Sequence, residues 1–119
     1  MFLTRIKATV SGNMVKPAQM KYTPDGKAVT VVRVAVGDGS KRYPTMYVDI
    51  PVWESVAEQA NQVLDRKGVH VEASGFLQVR SYEGLHGRSV AIELKNVREL
   101  RIYDRDGELE KVLSGEKAQ

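Results

Sequence analysis

The stretch "YVDIPVWESVAEQANQVLDRKGVHVEASGFLQV", Tyr47 to Val79, changes its hydrophobic period twice. Through "MYVDIPVW" (Met46 to Trp53), Val48, Ile50 and Val52 fall on alternate positions, the period of a strand with one buried face. From Glu54 onward, Val56, Ala60, Val63 and Leu64 recur at helical spacing, Ser55 and Glu58 occupy capping-box positions, and Gly68 supplies a stop. From Val69 to Val79 the alternation returns. The stretch therefore predicts a strand, a helix and a strand in direct succession.

Outward from this centre the chain is β-rich. "FLTRIKATV" (Phe2 to Val10), "KAVTVVRVAV" (Lys27 to Val36) and "SVAIELKNVREL" (Ser89 to Leu100) alternate in the same way, and a short extra strand fits Gln19 to Tyr22. "TPDG" (Thr23 to Gly26) is turn chemistry that links two antiparallel strands. "VRSYEGLHGRSVAIEL" (Val79 to Leu94) reads as a hairpin. The order is three strands, a helix and two strands, without repeats or low-complexity segments. It is the order of an all-β OB-fold, a five-stranded Greek-key barrel with its helix between the third and fourth strands. Residues 1–103 are expected to form that barrel and 104–119 a short polar C-terminal tail.

The 119 residues suit one domain with one core. The chain has no Cys and 2 His, so a thiolate metal site is excluded and a zinc site is not expected. Neither a signal peptide nor an apolar run of membrane-spanning length is present, which predicts a cytoplasmic chain with no membrane association. Residues 1–103 carry 15 Lys or Arg against 10 Asp or Glu, while 104–119 carry 3 against 5, a basic body with a mildly acidic end. "DRDGELE" (Asp104 to Glu110) lacks the length of a calcium loop, and an Asp-Gly hairpin or a frayed tail accounts for it better. No Gly-flanked nucleophile, phosphate-cradling loop or pair of acid/base carboxylates stands out, so no catalytic residues, no cofactor and no enzyme are expected.

Strand phase places the remaining chemistry. With Val48, Ile50 and Val52 inward, Tyr47, Asp49, Pro51 and Trp53 point outward. On the next strand Val69, Val71, Ala73, Leu77 and Val79 point inward, and Phe76, Gln78, Arg80 and Tyr82 outward. On the first strand Ile6, Ala8 and Val10 point in, Arg5 and Lys7 out. Asp49 has Arg33 or Arg80 as candidate partners. The loop "GDGSKRYPT" (Gly37 to Thr45) adds Lys41, Arg42 and Tyr43, and the hairpin tip adds His86 and Arg88. Flat rings interleaved with cations suit a single nucleic-acid strand, whose bases stack and whose phosphates need neutralising.

These residues resemble the bacterial single-stranded DNA-binding proteins across roughly Ile6 to Tyr103. "SGN" followed by "KPAQMKYTPDGKAV" is similar to that family's first hairpin, "VRVAVGD" to its second strand and "YVDIPVWESVAE" to its third strand and helix. "KGVHVEASGFLQVRSYEGLHGR" is similar to its fourth strand and hairpin. The resemblance implies that Tyr47, Trp53, Tyr82 and Tyr43 stack on bases, in sequence-independent binding and protection of single-stranded DNA during replication, recombination and repair. It also implies four barrels per assembly. The first strand, starting at Phe2 and Leu3, and the fifth, ending "VRELRIY", supply edges that pairing in a homotetramer would cover.

The sequence departs from the family in three places. The segment between Gly12 and Pro17 is one residue shorter than the usual pattern, Asp49 lies on the outer face, and the chain ends at "SGEKAQ" instead of a long linker with an acidic tip. The resemblance therefore does not extend to recruiting repair or replication enzymes through such a tail. The residues leave open a replication-restart (primosomal) or RNA-binding OB protein, and a structural OB subunit with its rings buried in an interface.

Overall fold

The computed structural model describes residues 5–65 and 68–115. Its elements are β1 (Ile6–Met14), β2 (Gln19–Tyr22), β3 (Ala28–Val36), β4 (Met46–Trp53), α1 (Glu54–Val63), β5 (His70–Gly84), β6 (Gly87–Lys95), β7 (Glu99–Tyr103) and β8 (Leu109–Ser114). Neighbours run in the order β1, β3, β4, β6, β5, and β5 pairs back onto β1, closing a ring of five strands. The β4–β6 pair is parallel and its neighbours in the ring are antiparallel. This is the expected OB-fold barrel. The short extra strand exists as β2, paired to β3 through the Thr23–Gly26 turn.

The core is what the alternation predicts at the barrel's centre. Val32 and Val34 of β3, Val48, Ile50 and Val52 of β4, Val71 and Ala73 of β5 and Leu94 of β6 are buried. The helix closes one end, laying Val56, Ala57, Ala60 and the following Leu64 against them. Ala57 and Ala60 let its backbone come close, and the buried Thr30 hydroxyl donates to the Ala57 carbonyl at 2.8 Å. Gly12 serves another close approach: a Cβ there would lie 2.4 Å from the Ala35 carbonyl oxygen, where β1 bends from β5 onto β3. Only a residue without Cβ lets the strands cross at that distance.

Several expectations change. No side chain caps α1: extended Trp53 precedes it, and the Ser55 hydroxyl instead accepts from Gln59 Nε2 at 3.1 Å. The helix ends at Val63, so Gly68, at φ 88°, starts the return to β5 rather than stopping the helix. Ser89 to Leu100 is not one strand. Leu77 pairs with Leu94 and Val71 with Ile102, so six steps along β5 match eight along its partner, and the surplus forms a bend at Asn96, φ 60°. Gly75 lies opposite, where a Cβ would sit 2.3 Å from the Lys95 carbonyl oxygen.

Ile6 and Val79 have the inward phase but are exposed, because β1 and β5 begin and continue beyond the enclosed core. The sheet also continues past Tyr103, the expected boundary. Asp104 to Gly107 form a turn, β8 pairs with β7, and Leu113 is buried. The fifth strand's edge, expected to be open at "VRELRIY", is thus covered by β8. Phe2 and Leu3, Lys67 of the Lys-Gly pair and the last four residues of the tail lie outside the described residues. Among the described residues no helix is long and apolar enough to cross a membrane.

Candidate nucleic-acid interface

Register brings the outward side chains of β3 and β4 into facing pairs: Ala35 with Tyr47, Arg33 with Asp49, Val31 with Pro51 and Val29 with Trp53. Tyr47 and Trp53 are 48% and 46% exposed, so neither ring is absorbed by the core or covered by the adjoining helix. The Arg33 guanidinium lies 5.2 Å from the Tyr47 ring centroid and 3.4 Å from Asp49. Arg33, and not Arg80, is therefore the partner of Asp49. The pair neutralises the carboxylate and leaves a cation against the ring, a contact favoured by the ring quadrupole.

The β5–β6 hairpin carries the second group. Tyr82 is 45% exposed and shares the outward phase of Arg80. Arg80 reaches Glu93 at 3.9 Å, and Lys95 reaches the same carboxylate at 3.7 Å. Glu93 pairs in register with Asp49, so the hairpin's outward face adjoins that of β4. Beyond Tyr82, Arg88 faces Glu83 at 3.7 Å and Gly87 turns at φ 108°. His86 and Leu85 occupy the solvent-facing tip.

A third group comes from the loop between β3 and β4. Tyr43 is 59% exposed, with the Arg42 guanidinium 5.7 Å from its centroid and Lys41 exposed beside it. The turn is held by its own polar groups: Tyr43 N–H donates to the Ser40 hydroxyl at 3.0 Å and Ser40 N–H to Asp38 Oδ1 at 2.9 Å. Hydrogen bonding from Ser40 holds the Asp38 carboxyl below the usual carboxylate range.

Arg5, Lys7 and Phe76 form a separate group on β1 and β5, where Lys7 is opposite Phe76. The Arg5 guanidinium sits 4.1 Å from the Phe76 centroid and occupies one ring face. Phe76 is therefore not a bare stacking surface. A groove of about 960 Å³ also lies away from the β4 face, between β5, β7 and the Asp104–Gly107 turn. There His70 bridges Ser11 and Asn13 at 3.0 and 2.9 Å, and the Tyr103 hydroxyl donates to Glu72 at 3.0 Å.

Sequence reasoning missed the surroundings of Trp53. A recess of about 340 Å³ beside the ring is lined by Thr23, Asp25, Lys27 and Glu54, which joins the β2–β3 turn to the end of β4. The signal was present in the alternation of β2 and β3, which puts Lys21, Val29 and Trp53 in one row. The Thr23 hydroxyl donates to Asp25, and this bond holds the Asp25 carboxyl below its usual range.

Exposed rings on one face, with guanidinium groups beside Tyr47 and Tyr43, are a surface for flat ligands strung on a polyanion. Residues 6–100 match the Single-strand binding protein family. A Single-stranded DNA-binding protein of Corynebacterium glutamicum is 32% identical over 92 residues, 71% of this chain and 40% of that one. Single-stranded DNA-binding protein 2 of Streptomyces coelicolor is 33% identical over 87 residues, 66% of this chain and 43% of that one. A Single-stranded DNA-binding protein of Wolinella succinogenes is 26% identical over 107 residues, 85% of this chain and 65% of that one. The chain thus spans about half the length of such relatives, and the family match covers the strands of the barrel. It belongs to the single-strand binding protein family.

Proposed function

We propose that this protein binds single-stranded DNA without sequence preference and protects it during replication, recombination and repair in the cytoplasm, without catalysing a reaction. The observation that carries this reading is the outer face of β4, where Tyr47 and Trp53 stay half exposed while Val48, Ile50 and Val52 between them are buried. Bases stack on Tyr47, Trp53 and Tyr82, and on Tyr43 from the loop. Arg33, Arg80, Lys41, Arg42 and Arg88 follow the phosphates. Arg5 and Lys7 beside Phe76 give an outlying cationic contact.

One barrel offers a site of roughly 4 to 16 nucleotides, so longer strands need several barrels. Among the described residues β1 is bonded to β5 from Ile6 to Asn13 but to β3 only at Asn13 and Met14, so one of its edges has no partner there along most of its length. That edge supports assembly through paired β1 strands into a homotetramer.

The test is polynucleotide binding across a salt series. Affinity that falls steeply with salt and is equal for unrelated DNA sequences is the expected result, because phosphate contacts release counterions. Binding insensitive to salt would assign the exposed rings to a protein partner. Competition between matched DNA and RNA oligomers decides the nucleic acid, since stacking alone tolerates both.

A further inference from the structure

We infer that the β2–β3 hairpin is a further wall of the strand-binding face, with Lys21 and Lys27 holding the phosphates of the nucleotides that pass Trp53. The inference rests on the proposed reading of the Tyr47–Trp53 face and adds an element to it. Lys21 pairs with Val29, and Val29 with Trp53, so the lysine stands in the same outward row as the ring. Two strand spacings separate them, about 10 Å, a gap that a lysine side chain and a stacked nucleotide together bridge. Val29 lies between them, and the next row, Gln19, Val31 and Pro51, carries no charge.

Lys27 follows the turn and lines the recess beside Trp53. Both lysines are exposed, and neither takes part in an ion pair among the described residues. Arg33, Arg80 and Arg88, by contrast, each already face a carboxylate. Lys27 of this hairpin lies beside Trp53, and Arg98 lines a second recess that the ring shares. Asp25 and Glu54 also line the first recess, so it suits the edge of a base, while phosphates are held on the lysine side.

The hairpin is also fixed in place. Met20 N–H donates to Asn61 Oδ1 of α1 at 3.2 Å, and Ala18 N–H to the Leu64 carbonyl at 2.8 Å. A wall tied to the helix keeps its lysines in position before a ligand arrives.

The experiment is titration of Trp53 fluorescence with a thymidine homopolymer across a salt series, for the full chain and for Lys21→Ala, Lys27→Ala and Lys111→Ala. Lys111 lies on β8, at the opposite end of the sheet order. Lys21→Ala and Lys27→Ala are each expected to lower the slope of log affinity against log salt by about 0.7, which is about five-fold weaker binding at 0.1 M salt. Lys111→Ala is expected to match the unsubstituted chain. Unchanged slopes for both hairpin variants, with Trp53 still quenched, overturn the inference and leave the reading of the β4 face standing. An equal loss from Lys111→Ala overturns it too, as an effect of net charge. Absence of quenching in the unsubstituted chain overturns both.

Discussion

Trp53 ends β4 and adjoins the first turn of α1, a position where a ring commonly slides beneath the helix. It stays out because the outward phase of β4 passes directly into the helix and the space beneath is filled by Val56, Ala57 and Ala60. Trp53→Ala should therefore weaken binding by about 1 to 3 kcal/mol, the worth of a stacked base, and leave the melting temperature nearly unchanged. A large loss of thermal stability with affinity intact would make the ring a structural residue. Glu93 offers a test of opposite sign. It faces both Arg80 and Lys95, so its carboxylate competes with phosphate for two cations. Glu93→Gln should strengthen binding at low salt and steepen its salt dependence, as read by the same titration.

At the scale of elements, β8 shows where reading the sequence stops. In "LEKVL" one residue, Leu113, reaches the core, while Leu109 and Val112 remain exposed among charged neighbours. One buried position makes no period, so the segment reads equally as an Asp-Gly hairpin or a frayed tail, and the pairing of β8 with β7 across the Asp104–Gly107 turn makes it the hairpin. Leu113→Ala should cost about 2 to 5 kcal/mol, measured as a shift in denaturant midpoint. A shift near zero would return the segment to the status of an appendage. β3, β4 and the start of β5 were legible because their alternating residues are buried on one face and continue for several pairs. The break at Asn96 was not, since both halves keep strand composition and the two surplus residues show only against the register of β5. The absent helix cap has a similar origin: Ser55 and Glu58 have the spacing of a box, but the chain enters the helix at Glu54 directly from the strand. Of the candidate site, the rings were legible from phase. The Arg33–Asp49 pair was legible as one of two alternatives, but the carboxylate that Arg80 meets was not, because Glu93 lies across a pairing that no local pattern announces.

Among the described residues the closed ring leaves β1 with an unpaired edge and covers the fifth strand with β8, so pairing of copies is expected through β1. Light scattering at micromolar concentration should give the mass of a homotetramer, and a monomer mass with and without DNA would contradict that assembly. Under the proposed reading the rings of each barrel are expected to lie along one polynucleotide, with the single tryptophan of each chain as the reporter. Titration of Trp53 emission with a thymidine homopolymer tests the central claim most directly. Strong quenching that saturates at roughly 4 to 16 nucleotides per chain is the expected result. Emission unchanged at saturating polymer would remove the outer face of β4 from the DNA path and contradict the account.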